Sequence, residues 1–258
     1  MKCDFFSLTD TGRVRANNED TIAVRPDVGM VALADGMGGY NAGEVASAMA
    51  TAALLERFET LHQGLDDTVR MQPLLVDAMH CANRVVYEAA CANPEHRGMA
   101  TTLVTAVFHG SRVTIGHVGD SRAYRLRQGR FMCLTRDHSL LQEQLDAGLI
   151  PPHLARVAQH KNLVTRAVGV AAQVDVEVHE HHVQPGDMYM LCSDGLNDML
   201  SDLEMAQVLL HFGPMERAGH ELLRRANAAG GRDNISLILV QCAPASVSPS
   251  PPTAALAQ

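Results

Sequence analysis

Tryptophan is missing from this 258-residue chain, so alanine, leucine and methionine carry much of its apolar content. Paired cysteines are missing too. The six present (Cys3, Cys81, Cys91, Cys133, Cys192, Cys242) lie far apart and form no CxxC. That spacing argues against a zinc knuckle or a disulfide framework and for free thiols in a reducing compartment. Basic charge is short: 21 Lys and Arg stand against 29 Asp and Glu, a net charge of −8. A phosphate-gripping nucleic-acid binder is therefore disfavoured, whereas a surplus of carboxylates suits a chain that holds metal ions. No apolar run approaches the ~20 residues of a membrane span. The opening "MKCDFFSLTDTG" reaches charged and turn-forming residues too early for a signal peptide. The expectation is a cytoplasmic protein.

What is present reads as one α/β domain with mostly antiparallel sheets and helices outside. Strands are expected at Thr21–Arg25 and Val28–Ala34, and helices at Glu44–Phe58 and Pro73–Ala90. A meander of short apolar runs follows, through "TTLVTAVFHG", "RVTIGHVGDS", "RAYRLRQG" and "RFMCLT". A helix is expected at His138–Gly148, then a polar flap. Further on come strands in "DVEVHEHHV" and "GDMYMLCSDG", helices at Asp202–Phe212 and Pro214–Ala228, and a last strand in "NISLILVQC". The proline- and serine-containing end, "APASVSPSPPTAALAQ", lacks charge and is expected to be disordered.

Aspartates recur where apolar strands stop. They are Asp20 in "NNED", Asp35 in "LADGMGG", Asp120 in "HVGDSR", Asp194 and Asp198 in "LCSDGLND", and Asp233 in "GGRDN". An Asp before Gly is commonly just a turn residue. Three near-continuous apolar strands each ending in an acid also fit a second explanation: sheet ends deliver carboxylates to one centre. Oxygen-only donors favour hard ions such as Mg2+ or Mn2+. Glycines around Asp35 would let the backbone turn tightly, and a main-chain carbonyl could join the donors. "GMGGYNAG" has the wrong spacing for a dinucleotide fingerprint.

The ordered set "TDTGRVRANNED", "VALADGMGG", "MATTLVTAV", "VGDSRAY", "LTRDHS", "VTRAVG", "LCSDGLND" and "GGRDNISLILV" runs from about Phe6 to Val240. In that order and spacing it resembles the bacterial metal-dependent serine/threonine protein phosphatases of type 2C, the PPM family. The resemblance implies an α+β fold, a four-layer αββα sandwich of two antiparallel sheets flanked by helices, with a metal centre at one end. It implies a catalytic domain over residues 1–242, a flap at about 139–165, and a tail at 243–258. By the same likeness Asp35 bridges two metal ions, the Gly36 carbonyl binds one, and Asp194 and Asp233 bind the other. Glu19 and Asp20 match an acidic pair that acts directly or through water. Asp120 and Asp198 match acids at a third, weaker metal, and Arg15 matches the phosphate-binding arginine.

The activity implied is hydrolysis of phosphoserine or phosphothreonine on proteins, by a hydroxide held between two Mn2+ or Mg2+ ions, with a third ion as an option. The implied partners are phosphoproteins, including a cognate bacterial kinase and its substrates, met by a monomer. A small-molecule phosphomonoesterase and a catalytically inactive, phosphoprotein-binding relative are the alternatives; the second would have lost the metal-binding acids, which are all present. Met37 stands where some relatives carry histidine, so the group that protonates the leaving oxygen is unassigned, with a water on the third metal as the candidate. His138, Asp137, Ser139, Arg122, Arg166 and Cys192 are read as scaffold.

Overall fold

The computed structural model describes residues 1–38, 42–66, 69–157 and 163–244. The expected tail lies, from residue 245 onward, outside the described residues, as does the part of the flap at 158–162.

The strands are β1 (Lys2–Asp10), β2 (Asp20–Arg25), β3 (Met30–Met37), β4 (Ala100–Thr101), β5 (Leu103–His109), β6 (Arg112–Val118), β7 (Arg122–Arg127), β8 (Arg130–Cys133), β9 (Glu177–His182), β10 (Met188–Cys192) and β11 (Ile235–Ala243). The α-helices are α1 (Ala42–His62), α2 (Met71–Ala92), α3 (Leu140–Asp146), α4 (Asp194–Asn197), α5 (Asp202–His211) and α6 (Met215–Ala228). One sheet has the order β1-β11-β10-β7-β8, the other β2-β3-β5-β6-β9 with β4 paired to β3. All strand pairs within them are antiparallel.

Side-chain alternation shows why the inner strands read as continuous apolar runs. In β3, Met30, Ala32 and Ala34 face a cluster with Ala46, Leu54 and Phe58 of α1 and with Leu75 and Met79 of α2. Val31 and Leu33 point the other way, into the layer between the sheets, where they join Tyr189, Leu191, Ile238 and Val240. In β11 the pattern is reversed in space: Leu237 and Leu239 pack with Met205 and Val208 of α5 and Leu222 of α6. Each of these strands is buried on both faces, so no hydrophilic alternate appears. The three apolar layers make the expected four-layer sandwich: two helices, a sheet, a sheet, two helices. Full burial stabilises by roughly 1.5–3 kcal/mol per large apolar side chain.

The helices of the second layer have clear start signals. Ser201 accepts a hydrogen bond from the Glu204 amide, and the Glu204 carboxylate accepts from the Ser201 amide, a reciprocal cap on α5. The helices α1 and α2 extend beyond the expected boundaries at both ends. The strand β1 is an addition to the expected set; it pairs with β11 along its whole length, Lys2↔Ala243 to Asp10↔Ile235.

Antiparallel pairing puts the start of β2, the ends of β3, β6 and β10, and the start of β11 at one end of the sandwich. Those are the places where the sequence puts its acids.

Candidate metal centre

Asp20 and Asp35 are direct cross-strand partners at the end of the β2–β3 ladder. Two carboxylates side by side repel, and here each also loses water. Asp20 is buried, and its Oδ2 accepts from Ser193 Oγ at 2.8 Å. Its Oδ1 is buried with no hydrogen-bond partner. Burial, only partly offset by hydroxyl hydrogen bonds, raises its pKa to about 6. Asp35 keeps one face open to a cavity while protein surrounds the rest. Its carboxyl is held well above the usual range, first by burial and then by Asp20, Asp194, Asp120 and Asp233.

The main chain at Asp35 is held by two threonines. The Asp35 amide donates to Thr102 Oγ1 at 3.0 Å, and Thr101 Oγ1 donates to the Asp35 carbonyl at 2.8 Å. Gly36 follows where only glycine fits: a Cβ there would lie 2.1 Å from the Gly43 carbonyl oxygen and 2.7 Å from that of Glu19. This close approach seats the Glu19 carboxylate against the start of α1, since a Cβ on Gly43 would come 2.3 Å from Glu19 Oε2.

Asp194 opens α4, directly after β10, and its Oδ1 is likewise buried without a partner. Burial leads the causes that hold its pKa well up, followed by Asp120, Asp233, Asp198 and Asp20. Asp120, just past β6, is raised to about 7, again first by burial and then by Asp137. Asp233 comes just before β11; its Oδ2 accepts from Arg15 Nη2 at 2.7 Å. Glu19 is shifted upward, chiefly by burial.

These residues meet. Arg15, Glu19, Asp35, Gly36, Asp120, Asp194 and Asp233 line one cavity of about 250 Å³, together with Met37 and Val164. Asp20 sits beneath it. Asp198 faces the adjoining groove of about 520 Å³, which shares Asp194 and Asp233 with the cavity. A concentration of acids this dense, with two buried carboxylate oxygens unpartnered, matches divalent cations bound by oxygen.

Sequence reasoning passed over Asn234. Its side chain accepts from the Glu19 amide at 2.8 Å and donates to the carbonyls of Thr11, at 3.0 Å, and Asn17, at 2.8 Å. Its own amide donates to Asp233 Oδ1 at 2.9 Å. One amide side chain thus ties the Arg15–Glu19 loop to the strand that carries Asp233. The motif "GGRDN" contained it, and an asparagine entering an apolar strand was the available signal. Ser193 and Thr102 are further polar supports beneath the acids.

The residues read as scaffold make their own contacts around the acids. Arg122 makes a bidentate pair with Asp137, at 2.8 and 2.6 Å. Cys192 is fully buried in the layer under α5 and α6. His117 and His138 stack with ring centres 4.6 Å apart, and with Glu177 they bring ligand-type atoms within 4.8 Å of one another. Hydrogen bonding defines that trio. His138 Nδ1 accepts from the Gly119 amide at 3.1 Å, so its proton is on Nε2, facing Glu177 Oε2 at 3.1 Å. His117 Nε2 donates to the Arg136 carbonyl at 2.7 Å, and the Arg166 guanidinium lies 3.2 Å from His138 Nε2. The nitrogens that face Glu177 carry protons and have the Arg166 cation beside them, whereas His117 Nδ1 is buried without a hydrogen-bond partner.

Residues 12–239 match the protein phosphatase 2C family over nearly the whole described chain. The chain belongs to that family, the metal-dependent serine/threonine phosphatases. It is 36% identical to the serine/threonine phosphatase Stp of Listeria monocytogenes, over 90% of this chain and 93% of Stp. It is 35% identical to the serine/threonine protein phosphatase PstP of Mycobacterium tuberculosis, over 91% of this chain but only 44% of PstP. A crystal structure of the PstP catalytic domain with two manganese ions superposes with a TM-score of 0.84 at 33% identity, covering 93% of this chain and 98% of that one.

Proposed function

We propose that the acid cluster around Asp35 is the catalytic centre of a metal-dependent protein-serine/threonine phosphatase. Supporting this reading is the convergence of carboxylates from five strand ends on one cavity, with buried oxygens of Asp20 and Asp194 left without hydrogen bonds. Asp35, with the Gly36 carbonyl, Asp194 and Asp233, would hold a pair of Mn2+ or Mg2+ ions. Glu19 and Asp20 would support them as an acidic pair, and Asp120 and Asp198 would border a third, weaker site. The donor set, all oxygen, suits these hard ions. Bound there, they supply Lewis acidity that offsets phosphate charge and makes a water nucleophilic at neutral pH.

The chain's own residues do the rest. Arg15, at the mouth of the cavity, presents a planar fork to the phosphate oxygens and meets the charge that grows on them. To do so it exchanges its bond with Asp233 for the phosphate. The threonines at Asp35 and the asparagine at Glu19 fix the acids before substrate arrives, so little reorganisation accompanies the reaction. Hydrolysis moves the water's oxygen onto phosphorus as the bond to the serine or threonine oxygen breaks, and that oxygen leaves with a proton.

The substrates on this reading are phosphoproteins of the kind made by a bacterial serine/threonine kinase. The adjoining groove, lined by Asn197, Met199 and Ser201, gives room for chain flanking a phosphorylated residue, which favours a protein over a small metabolite. Among the described residues no helix is long and apolar enough to cross a membrane. A monomer in the cytoplasm is the accompanying proposal, supported by six free thiols.

The deciding assay uses a phosphothreonine peptide and chelator-treated protein, with and without Mn2+. Phosphate release only with Mn2+, and about a thousandfold less from Asp35→Asn, is expected. Full turnover by Asp35→Asn would refute the assignment, and activity on small phosphomonoesters alone would move the substrate class.

A further inference from the structure

Cys3 and Cys242 are 239 positions apart in sequence, yet their Sγ atoms lie 3.3 Å apart. They are register partners on β1 and β11. The Cys242 amide donates to the Asp187 carbonyl at 2.9 Å, and its own carbonyl accepts from the Gly186 amide at 2.8 Å. Both of its backbone groups therefore turn away from β1, and Cys3↔Cys242 is a non-hydrogen-bonded pair. In such pairs the Cα atoms approach to about 4.5 Å and the side chains are closest, inside the 4.4–6.8 Å range in which a disulfide spans two Cα atoms. Bond formation needs the sulfurs to close by roughly 1.3 Å, within the reach of side-chain rotation.

Access is asymmetric. Cys242 is 1% exposed, whereas Cys3 is half-buried and lines an open cavity of about 330 Å³ with Met1, Phe5, Val28 and Phe108. We propose that Cys3 and Cys242 are an oxidisable dithiol, a modification site that a hydroperoxide converts to an intrachain disulfide. The Cys3 thiolate attacks one oxygen of hydrogen peroxide; the O–O bond breaks, leaving a sulfenic acid on Cys3 and a hydroxide that takes up the proton the thiol released, the first water. The Cys242 sulfur then attacks the Cys3 sulfur, the S–O bond breaks, and a second water departs with the Cys242 proton. Two electrons pass from two thiols to one peroxide, giving one disulfide and two waters. The division of labour agrees with the acidities: the hydrogen bond from Cys242 lowers the Cys3 pKa, and the same contact together with burial raises that of Cys242.

The thiols sit at the far end of the β1–β11 ladder from Asp10↔Ile235, seven register steps or about 23 Å away at strand spacing. The bond therefore clamps the outermost strand and closes nearly the whole chain into one loop, without entering the acid-lined cavity. Closing so long a loop restricts the unfolded chain strongly.

The test treats the full chain with a modest excess of hydrogen peroxide, blocks remaining thiols, and maps peptides without reduction. Expected are a peptide linking Cys3 to Cys242, a fall from six titratable thiols to four, and a Tm rise of roughly 5–10 °C that dithiothreitol reverses. Cys3→Ser, at a half-exposed position that tolerates a hydroxyl, and Cys242→Ala should each abolish the linked peptide and the Tm rise. Thiol loss confined to the exposed Cys91, or over-oxidation of Cys3 with no linked peptide, overturns the proposal.

Discussion

The Arg15 guanidinium donates to Asp233 Oδ2 at 2.7 Å, so the cation proposed to meet phosphate is held by an acid proposed to hold a metal. Arg15 neutralises Asp233 and competes there with any bound ion. Its removal should act in opposite directions on two affinities. In Arg15→Ala, KM for a phosphothreonine peptide should rise about 10–100-fold, the value of a charge-assisted contact worth 1.5–3 kcal/mol. Mn2+ should bind more tightly to the same variant, as calorimetry would show. Equal KM together with unchanged metal affinity would leave Arg15 as a surface ion pair.

Metal removal should make stability depend on pH. In the protein without ions, Asp20 titrates at about 6 and Asp120 at about 7, both raised above an ordinary 3.8 chiefly by burial. A raised carboxyl pKa means the folded state binds more protons than the unfolded one. That stabilising proton uptake is complete below about pH 4 and is lost as pH climbs through 6 and 7. Chelator-treated protein should therefore melt lower at pH 8 than at pH 5, by on the order of 5 °C or more, and Mn2+ at pH 8 should restore the loss. A flat melting temperature across that range would mean that burial does not hold these carboxyls protonated in the ion-free protein.

How far the sequence revealed this molecule depended on which interactions were local. The run "MVALA" in β3 and "SLILV" in β11 is buried on both faces, and such strands declare themselves by composition alone. The acids were legible because each terminates such a run. By contrast β1 mixes Cys3, Phe5 and Leu8 with Asp4 and Ser7 on an edge, and only its pairing with β11 makes it a strand. The contact of Cys3 with Cys242 was hidden for the same reason: nothing in the spacing of six scattered cysteines specifies a register. Asn234 stood out only as an asparagine entering an apolar strand; its clamping role could not be read because three of its partners are backbone groups, which carry no mark in the sequence.

Gly36 is required by contact. The carbonyls of Gly43 and Glu19 occupy the space of any side chain, and both belong to backbone that cannot step aside alone. Gly36→Ala must push the end of β3 away from the start of α1, displacing the Glu19 loop and the carbonyl assigned to a metal. The expected cost is about 1–3 kcal/mol, or 2–4 °C of Tm per kcal/mol at this size, with a larger proportional loss in kcat/KM. Unchanged Tm and turnover would mean the close approach is not maintained in solution.

Asn234 offers the sharpest separation of positioning from ligation, since it reaches the acids only through the chain. Its side chain makes three partly buried hydrogen bonds to the Thr11–Glu19 segment, and Asn234→Ala removes all three. Unsatisfied buried groups cost about 1–3 kcal/mol each where water cannot replace the bond. The variant should lose on the order of 3 kcal/mol of stability and let Arg15 and Glu19 drift from Asp233. KM for the phosphopeptide should then rise more than the metal affinity falls, because Asp35 and Asp194 are held by other contacts. Asn234→Asp should be worse in both respects: it keeps the size, loses both donated bonds, and adds a negative charge beside Asp233. If Asn234→Asp matched the parent protein in Tm and KM, the loop would owe its position to something other than this amide.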